Sequence, residues 1–100
     1  MLLAIVDFDT AAIDRPVALN HLDAQYDQVR AMPGNLAFRV YASRQDDQRI
    51  TIVHEWNDEA SFDGYLQSAV FARAGDVLHP IMIGAPVSRR FHAELVATVA

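Results

Sequence analysis

The chain has no cysteine and no lysine, and each absence removes a class of function. Without thiols there are no disulfides, no thiolate metal sites and no cysteine nucleophile. Positive charge comes from arginine alone, with 8 basic against 13 acidic residues and a formal net charge of −5. No basic stripe forms along any segment, which argues against a nucleic-acid partner. No apolar run approaches the roughly 18 residues needed to cross a bilayer, so no membrane partner is expected. The opening Met1–Val6 has no basic residue before it and runs into Asp7 and Asp9, so it reads as a first strand rather than a signal peptide. Gly34, Gly64, Gly75 and Gly84 are isolated, which leaves no phosphate-cradling loop, and no serine-nucleophile motif occurs. What remains is one cytoplasmic domain, residues 1–100, long enough for its own core.

The apolar pattern predicts the elements in turn. The first strand covers about Leu2 to Phe8. Asp14 is the expected cap of a helix that carries Pro16 in its first turn and an apolar stripe of Leu19, Leu22, Tyr26 and Val29. Met32-Pro33-Gly34-Asn35 ends it, and Leu36–Ala42 forms a second strand. A polar hairpin loop at Arg44–Gln48 returns the chain antiparallel through Arg49–Trp56. A second helix is expected from Asp58 to about Ala72, burying Phe62, Leu66, Ala69 and Val70. A short helical turn within Asp76–Met82 and a last strand from Val87 to about Val96 complete the chain.

The order βαββαβ implies an α+β, ferredoxin-like fold, with a four-stranded antiparallel sheet and two helices on one face. The other face should then be wet and cleanly polar, yet Tyr41, Phe91 and Leu95 fall on strands that also present large residues to the helices. An amphipathic second face fits a homodimer formed by two sheets meeting.

The stretch Ile50–Leu66 carries the densest chemistry. Alternation places Ile52, His54 and Trp56 on one face of a strand and Val53 and Glu55 on the other. Asn57 or Asp58 then caps a helix. An imidazole and the chain's only tryptophan therefore stand together where strand meets helix, an arrangement suited to a flat organic ligand.

Together, Met32-Pro33-Gly34-Asn35, Phe38-Arg39-Val40-Tyr41, Glu55-Trp56, Asp58-Glu59-Ala60, Phe62, Leu66, Ser68 and Phe71 resemble the antibiotic biosynthesis monooxygenase family of dimeric α/β barrels. The resemblance implies a homodimer with a cavity between sheet and helices in each subunit. It also implies oxidation of a quinol, polycyclic phenol or polyketide-like aromatic by O₂ with no metal or flavin cofactor. The pattern departs from its relatives at defined positions. Ile52 and Phe62 stand where polyketide-oxidising members place asparagine and tyrosine, and quinol-type members often carry histidine at the places of Tyr65 and Val70. The axial histidine of haem-degrading members would fall on Gly75, which disfavours haem degradation.

Each candidate residue has a functional and a structural reading. His54 is a general base or hydrogen-bond partner for a phenolic group, or a core histidine bonded to the backbone. Trp56 and Phe62 are walls for an aromatic ligand, or simply core. Tyr65 offers a donor to a ligand oxygen, or packs its ring with its hydroxyl in water. Arg39 and Tyr41 share a strand face; Arg39 would fix an anionic oxygen or else pair with Glu55 or, across a dimer, Glu94. Phe71 joins them as a ligand-contacting aromatic. His21, His79 and His92 form no ligand spacing, so no metal site is expected, and Asp7 and Asp9 read as solvated strand residues. Two functions follow: a cofactor-independent monooxygenase, or a non-catalytic module that uses the same cavity to bind a small ligand.

Overall fold

The computed structural model describes all residues, 1–100. Four strands, β1 (Leu2–Thr10), β2 (Asn35–Ala42), β3 (Arg49–Trp56) and β4 (Met82–His92), form one antiparallel sheet in the order β2-β3-β1-β4. Helices α1 (Arg15–Arg30), α2 (Glu59–Leu66) and α3 (Ala69–Leu78) join them, with single 3₁₀ turns at Ala12–Asp14 and His79–Ile81. This is the ferredoxin-like order expected from the pattern, with three helices where two were expected. No helix is long and apolar enough to cross a membrane.

The break in the second helix has a local cause. Asp58 caps α2, its carboxylate accepting the Ser61 N–H at 2.8 Å. Ser68 then starts a new helix: its hydroxyl accepts the Phe71 N–H at 3.1 Å and donates to the Tyr65 carbonyl at 2.6 Å. One serine thus satisfies an orphan group at the end of one helix and another at the start of the next. With this new start the helical segment reaches Leu78 rather than Ala72.

Three further boundaries differ from expectation. Asp14 makes no side-chain cap; the Ala11 carbonyl, which receives both Asp14 and Arg15 N–H groups, leads into α1 through the 3₁₀ turn. The buried face of α1 is Ala18, Leu22, Gln25 and Val29, which leaves Tyr26 exposed. Gln25 occupies that face because its amide donates to the Val70 carbonyl at 3.0 Å, tying α1 to the first turn of α3. The last strand begins at Met82 and ends at His92. Between Asp7/Asp9 of β1 and Ile83/Val87 of β4 the register slips at a bulge containing Gly84, whose φ of 73° turns the edge strand.

The register sorts the two faces. Leu2, Ala4, Val6 and Phe8 of β1 lie opposite Trp56, His54, Ile52 and Ile50 of β3, and together they face the helices. Most are buried, with Ala4, Ile50 and Trp56 fully so. The opposite face carries Leu3, Ile5, Val53, Val87 and Phe91. It also carries the ion pairs Arg39–Glu55, Arg49–Asp9 and Arg89–Asp7, at 3.1, 2.6 and 3.8 Å. The helices cover β1, β2 and β3, while β4 remains exposed along nearly its whole length.

Candidate functional site: an aromatic-walled cavity with a buried imidazole

Between the helix-facing side of the sheet and α2–α3 lies a cavity of about 670 Å³. Its walls are mostly apolar, among them Phe8, Ile52, Phe62, Leu66, Phe71 and Leu78, and its polar side chains are His54, Tyr65, Asp76, His79, Ser88 and Arg90. A mainly apolar pocket of this size with a few convergent polar groups suits a small aromatic molecule.

His54 is 2% exposed and sits among four rings, with centroids at 5.9 Å from Phe38, 6.1 Å from Trp56, 5.5 Å from Phe62 and 5.7 Å from Tyr65. The Trp56 indole Nε1–H donates to His54 Nδ1 at 2.9 Å. An indole N–H can only donate, so Nδ1 must present its lone pair, and the neutral ring then carries its proton on Nε2. That Nε2–H is buried and has no protein partner. Burial, and secondarily the positive charge of Arg90, push the imidazole pKa down to about 4. At neutral pH His54 is therefore an uncharged donor whose only basic nitrogen is already bonded.

Tyr65 follows Phe62 by three residues on α2, so both project toward the sheet. Its ring stacks on Trp56 at 5.2 Å with an interplanar angle of 29°, and Phe71 meets its edge at 5.2 Å. Burial pushes its phenol up to about 12, so it too is neutral.

The fold brings His54, Phe62, Tyr65 and Phe71 to the cavity wall, with Phe71 the most exposed of these. Trp56 stands one layer back. It is wholly buried, does not line the cavity, and acts through its bond to His54 and its stack on Tyr65. Arg39 and Tyr41 lie on the opposite face, because strand alternation separates them from Phe38 and Val40. There Arg39 pairs with Glu55 of its own chain at 3.1 Å, and Tyr41 is half exposed.

Four polar side chains of the lining, Asp76, His79, Ser88 and Arg90, are not among the residues expected from the sequence. Arg90 places its guanidinium 4.9 Å from the centre of the Phe62 ring and donates from Nε to Ser88 Oγ at 3.2 Å. Alternation along the last strand separates Arg90 from Phe91, but only the pairing register shows which of them faces the helices. His79, whose spacing from other histidines and acids points to no metal site, also lines the cavity. It lies one turn beyond Gly75, and its ring packs where a Cβ on that glycine would be 3.6 Å from Cε1. It offers one imidazole to the cavity, but no group of three histidine or carboxylate side chains converges anywhere to hold a metal ion.

Comparison with solved structures finds the same fold at low sequence identity. An antibiotic biosynthesis monooxygenase crystal structure superposes with a TM-score of 0.86 and 18% identity, over 95% of this chain and 100% of the other. A putative antibiotic biosynthesis monooxygenase from Nitrosomonas europaea gives 0.87 and 15%, covering 93% and 98%. One from Deinococcus radiodurans gives 0.89 and 14%, covering 100% and 99%. No curated protein matches the chain. The family model for antibiotic biosynthesis monooxygenases matches residues 1–76, from β1 through most of α3 and including His54, Phe62, Tyr65 and Phe71. The chain therefore belongs to the antibiotic biosynthesis monooxygenase family.

Proposed function

We propose that the protein is a cofactor-independent monooxygenase that oxidises a quinol, polycyclic phenol or polyketide-like aromatic with O₂. The supporting observation is the aromatic-walled cavity lined by His54, whose Nε2–H is buried and has no protein partner. A buried donor without a partner costs roughly 1–3 kcal/mol, and a ligand oxygen placed against it recovers that cost. In the reaction a ring CH₂ becomes C=O, or a phenol's ring CH becomes C=O as its O–H also loses hydrogen to give a quinone; one atom of O₂ enters the product, the other leaves as water with the displaced hydrogens, and the ring supplies the electrons.

In this reading His54 acts as a donor to the substrate oxygen rather than as the base that takes its proton, because Nδ1 is engaged by Trp56. As electron density shifts onto that oxygen, the Nε2–H bond strengthens, which favours the activated substrate over the resting one. Phe62 and Phe71 hold the ring, and Tyr65 braces His54 and lines the cavity beside it. We also propose that two copies pair through the outer sheet face, where Leu3, Ile5, Val53, Val87 and Phe91 would be covered, and that the protein works in the cytoplasm. Light scattering of the wild type against Phe91→Glu checks the pairing: a dimer reduced to monomer is expected.

Oxygen uptake over a panel of reduced quinones and anthrones, with and without chelator and added flavin, tests the activity. Uptake above autoxidation that is insensitive to both additions is expected, with the rate reduced at least ten-fold in His54→Asn. Uptake no faster than autoxidation across the panel would remove the enzymatic reading. A second reading, ligand binding without turnover, draws support from the same side chains. The basic nitrogen of His54 is occupied and Ile52 and Phe62 beside it are apolar, which leaves Asp76 of α3 and His79 of the following turn, and no group on the sheet, as side-chain bases in the lining. A shift in Trp56 fluorescence on adding aromatic ligands, without oxygen uptake, is its signature.

A further inference from the structure

We propose that His54 and Arg90 form an oxyanion-binding pair, so that the cavity selects flat ligands whose ring oxygen is already ionised: acidic phenols and enols bound as phenolate or enolate. This deepens the reading of the cavity as an aromatic-ligand site and rests on it.

The register carries the argument. Ala4 of β1 pairs with His54 of β3 on one side and with Arg90 of β4 on the other. The three residues form one row across the sheet, all on the helix-facing side. Strands lie about 4.8 Å apart, so the two polar residues flank a gap of about 10 Å between their Cα atoms, and the residue between them is the smallest with a Cβ. Ala4 is fully buried and fills little of that gap. A ligand oxygen bound above Ala4 would lie between the imidazole on one side and the guanidinium on the other.

Both groups are donors. Nε2 of His54 carries a proton and has no partner in the protein. Arg90 makes one hydrogen bond, to Ser88, and has no carboxylate within salt-bridge distance, whereas its neighbour Arg89 on the outer face pairs with Asp7. The guanidinium is held by the Phe62 face instead, a contact that positions the charge without neutralising it. The other titratable side chains lining the cavity are Tyr65 from α2, Asp76 from α3 and His79 from the following turn, and Asp76 is the single acid among them. A neutral phenol placed in the His54–Arg90 gap would set its O–H against two donors. A phenolate there receives a neutral and a charge-assisted hydrogen bond. An apolar cavity alone would do the opposite and hold the ligand in its neutral form.

4-Nitrophenol distinguishes the two outcomes directly, because its phenolate absorbs in the visible and its phenol does not. Titrating the full-length protein into this probe at a pH near the probe's own pKa should raise phenolate absorbance, with the bound pKa lowered by about one unit, a ten-fold preference for the anion. Arg90→Gln should abolish the shift while 4-nitroanisole, which cannot ionise, still binds as it does to the wild type. Arg90 is solvent-exposed at the cavity rim, so this variant is expected to fold. His54→Asn keeps an acceptor for the Trp56 indole and removes the Nε2 donor; it should weaken the shift by several-fold. A bound probe that stays neutral, or a shift that survives Arg90→Gln, overturns the inference and leaves the oxygen-uptake test of the enzyme untouched. Failure of both probes to bind overturns the inference together with the aromatic-ligand reading.

Discussion

Acidification should destabilise this protein through His54, and the structure sets the size of the effect. In the folded chain the imidazole pKa is about 4, against an ordinary 6.5. The folded state therefore binds its proton less readily than the unfolded chain does. Stability is fully present above about pH 6.5 and is lost as the pH falls toward 4, because the unfolded state takes up a proton that the folded state refuses. With 1.36 kcal/mol per unit, the loss is about 2 kcal/mol at pH 5 and about 3 kcal/mol at pH 4. Protonation would also turn Nδ1 into a donor facing the Trp56 indole donor, so the 2.9 Å bond between them cannot survive it. Trp56 is the sole tryptophan and is fully buried, so its fluorescence reports unfolding from beside the titrating group. Urea unfolding at fixed protein concentration between about pH 7 and pH 4.5 should show the decline in the wild type and a much flatter line in His54→Asn. Asp9 and Asp58 are held below the usual carboxylate range, by the Arg49 and Ser61 hydrogen bonds respectively. Their contribution fades only at lower pH, outside this window. A wild type that loses under about 1 kcal/mol by pH 5, or a variant that declines as steeply, would mean that His54 does not set the acid limit of stability.

Other perturbations have equally definite outcomes. Tyr65 has a folded pKa of about 12 against 10.0, so its contribution to stability is intact below pH 10 and is lost as the pH rises toward 12. The difference in phenolate absorbance between wild type and Tyr65→Phe should appear only near the upper end of that range. Gly34→Ala should cost roughly 1–3 kcal/mol in urea unfolding, because a side chain there is strained and collides with its neighbour. Gly34 has a φ of 80°, and a Cβ would overlap the Ser61 side chain. Adding Ser61→Gly should recover part of that loss. Ser68→Ala should destabilise by about 1 kcal/mol and speed amide exchange in the first turn of α3, with the sheet protected as before.

The fold was legible because its signals are local and periodic. Strand alternation in Arg49–Trp56, the Met32–Asn35 stop and the Asp58 cap each act within a few residues, and together they specify the βαββ order that the structure shows. The departures are tertiary. Periodicity placed Tyr26 on the buried stripe of α1, where Gln25 lies instead, because a hydrogen bond to Val70 outweighs the cost of burying an amide. The continuous helix Asp58–Ala72 reads as a single apolar run, and only the double use of the Ser68 hydroxyl divides it. A strand start near Val87 followed from the Gly84 and Pro86 punctuation. Those residues form a bulge inside a longer strand, which is a property of its pairing with β1.

The site divides along the same line. His54, Phe62 and Tyr65 were legible because one strand and one following helix place them, and both periods are readable in the sequence. Arg39 and Tyr41 belonged to a face that alternation separates from Phe38, but alternation does not say which of two faces meets the helices. Arg90 shows the same ambiguity from the other side. It is separated from His54 by 36 positions, so only the shared partner Ala4 reveals that the two stand in one row. The role of His54 changed for a reason of the same kind. Its proximity to Trp56 follows from i, i+2 spacing, but the direction of the indole N–H decides which nitrogen keeps the proton. A bond made by a residue that never touches the cavity thus turns the imidazole from a base into a donor. Replacing Trp56 with phenylalanine releases Nδ1 from its partner while keeping an aromatic ring in the layer behind. That exchange should free the second tautomer and lower the preference for an ionised ligand, although nothing lining the cavity has been altered.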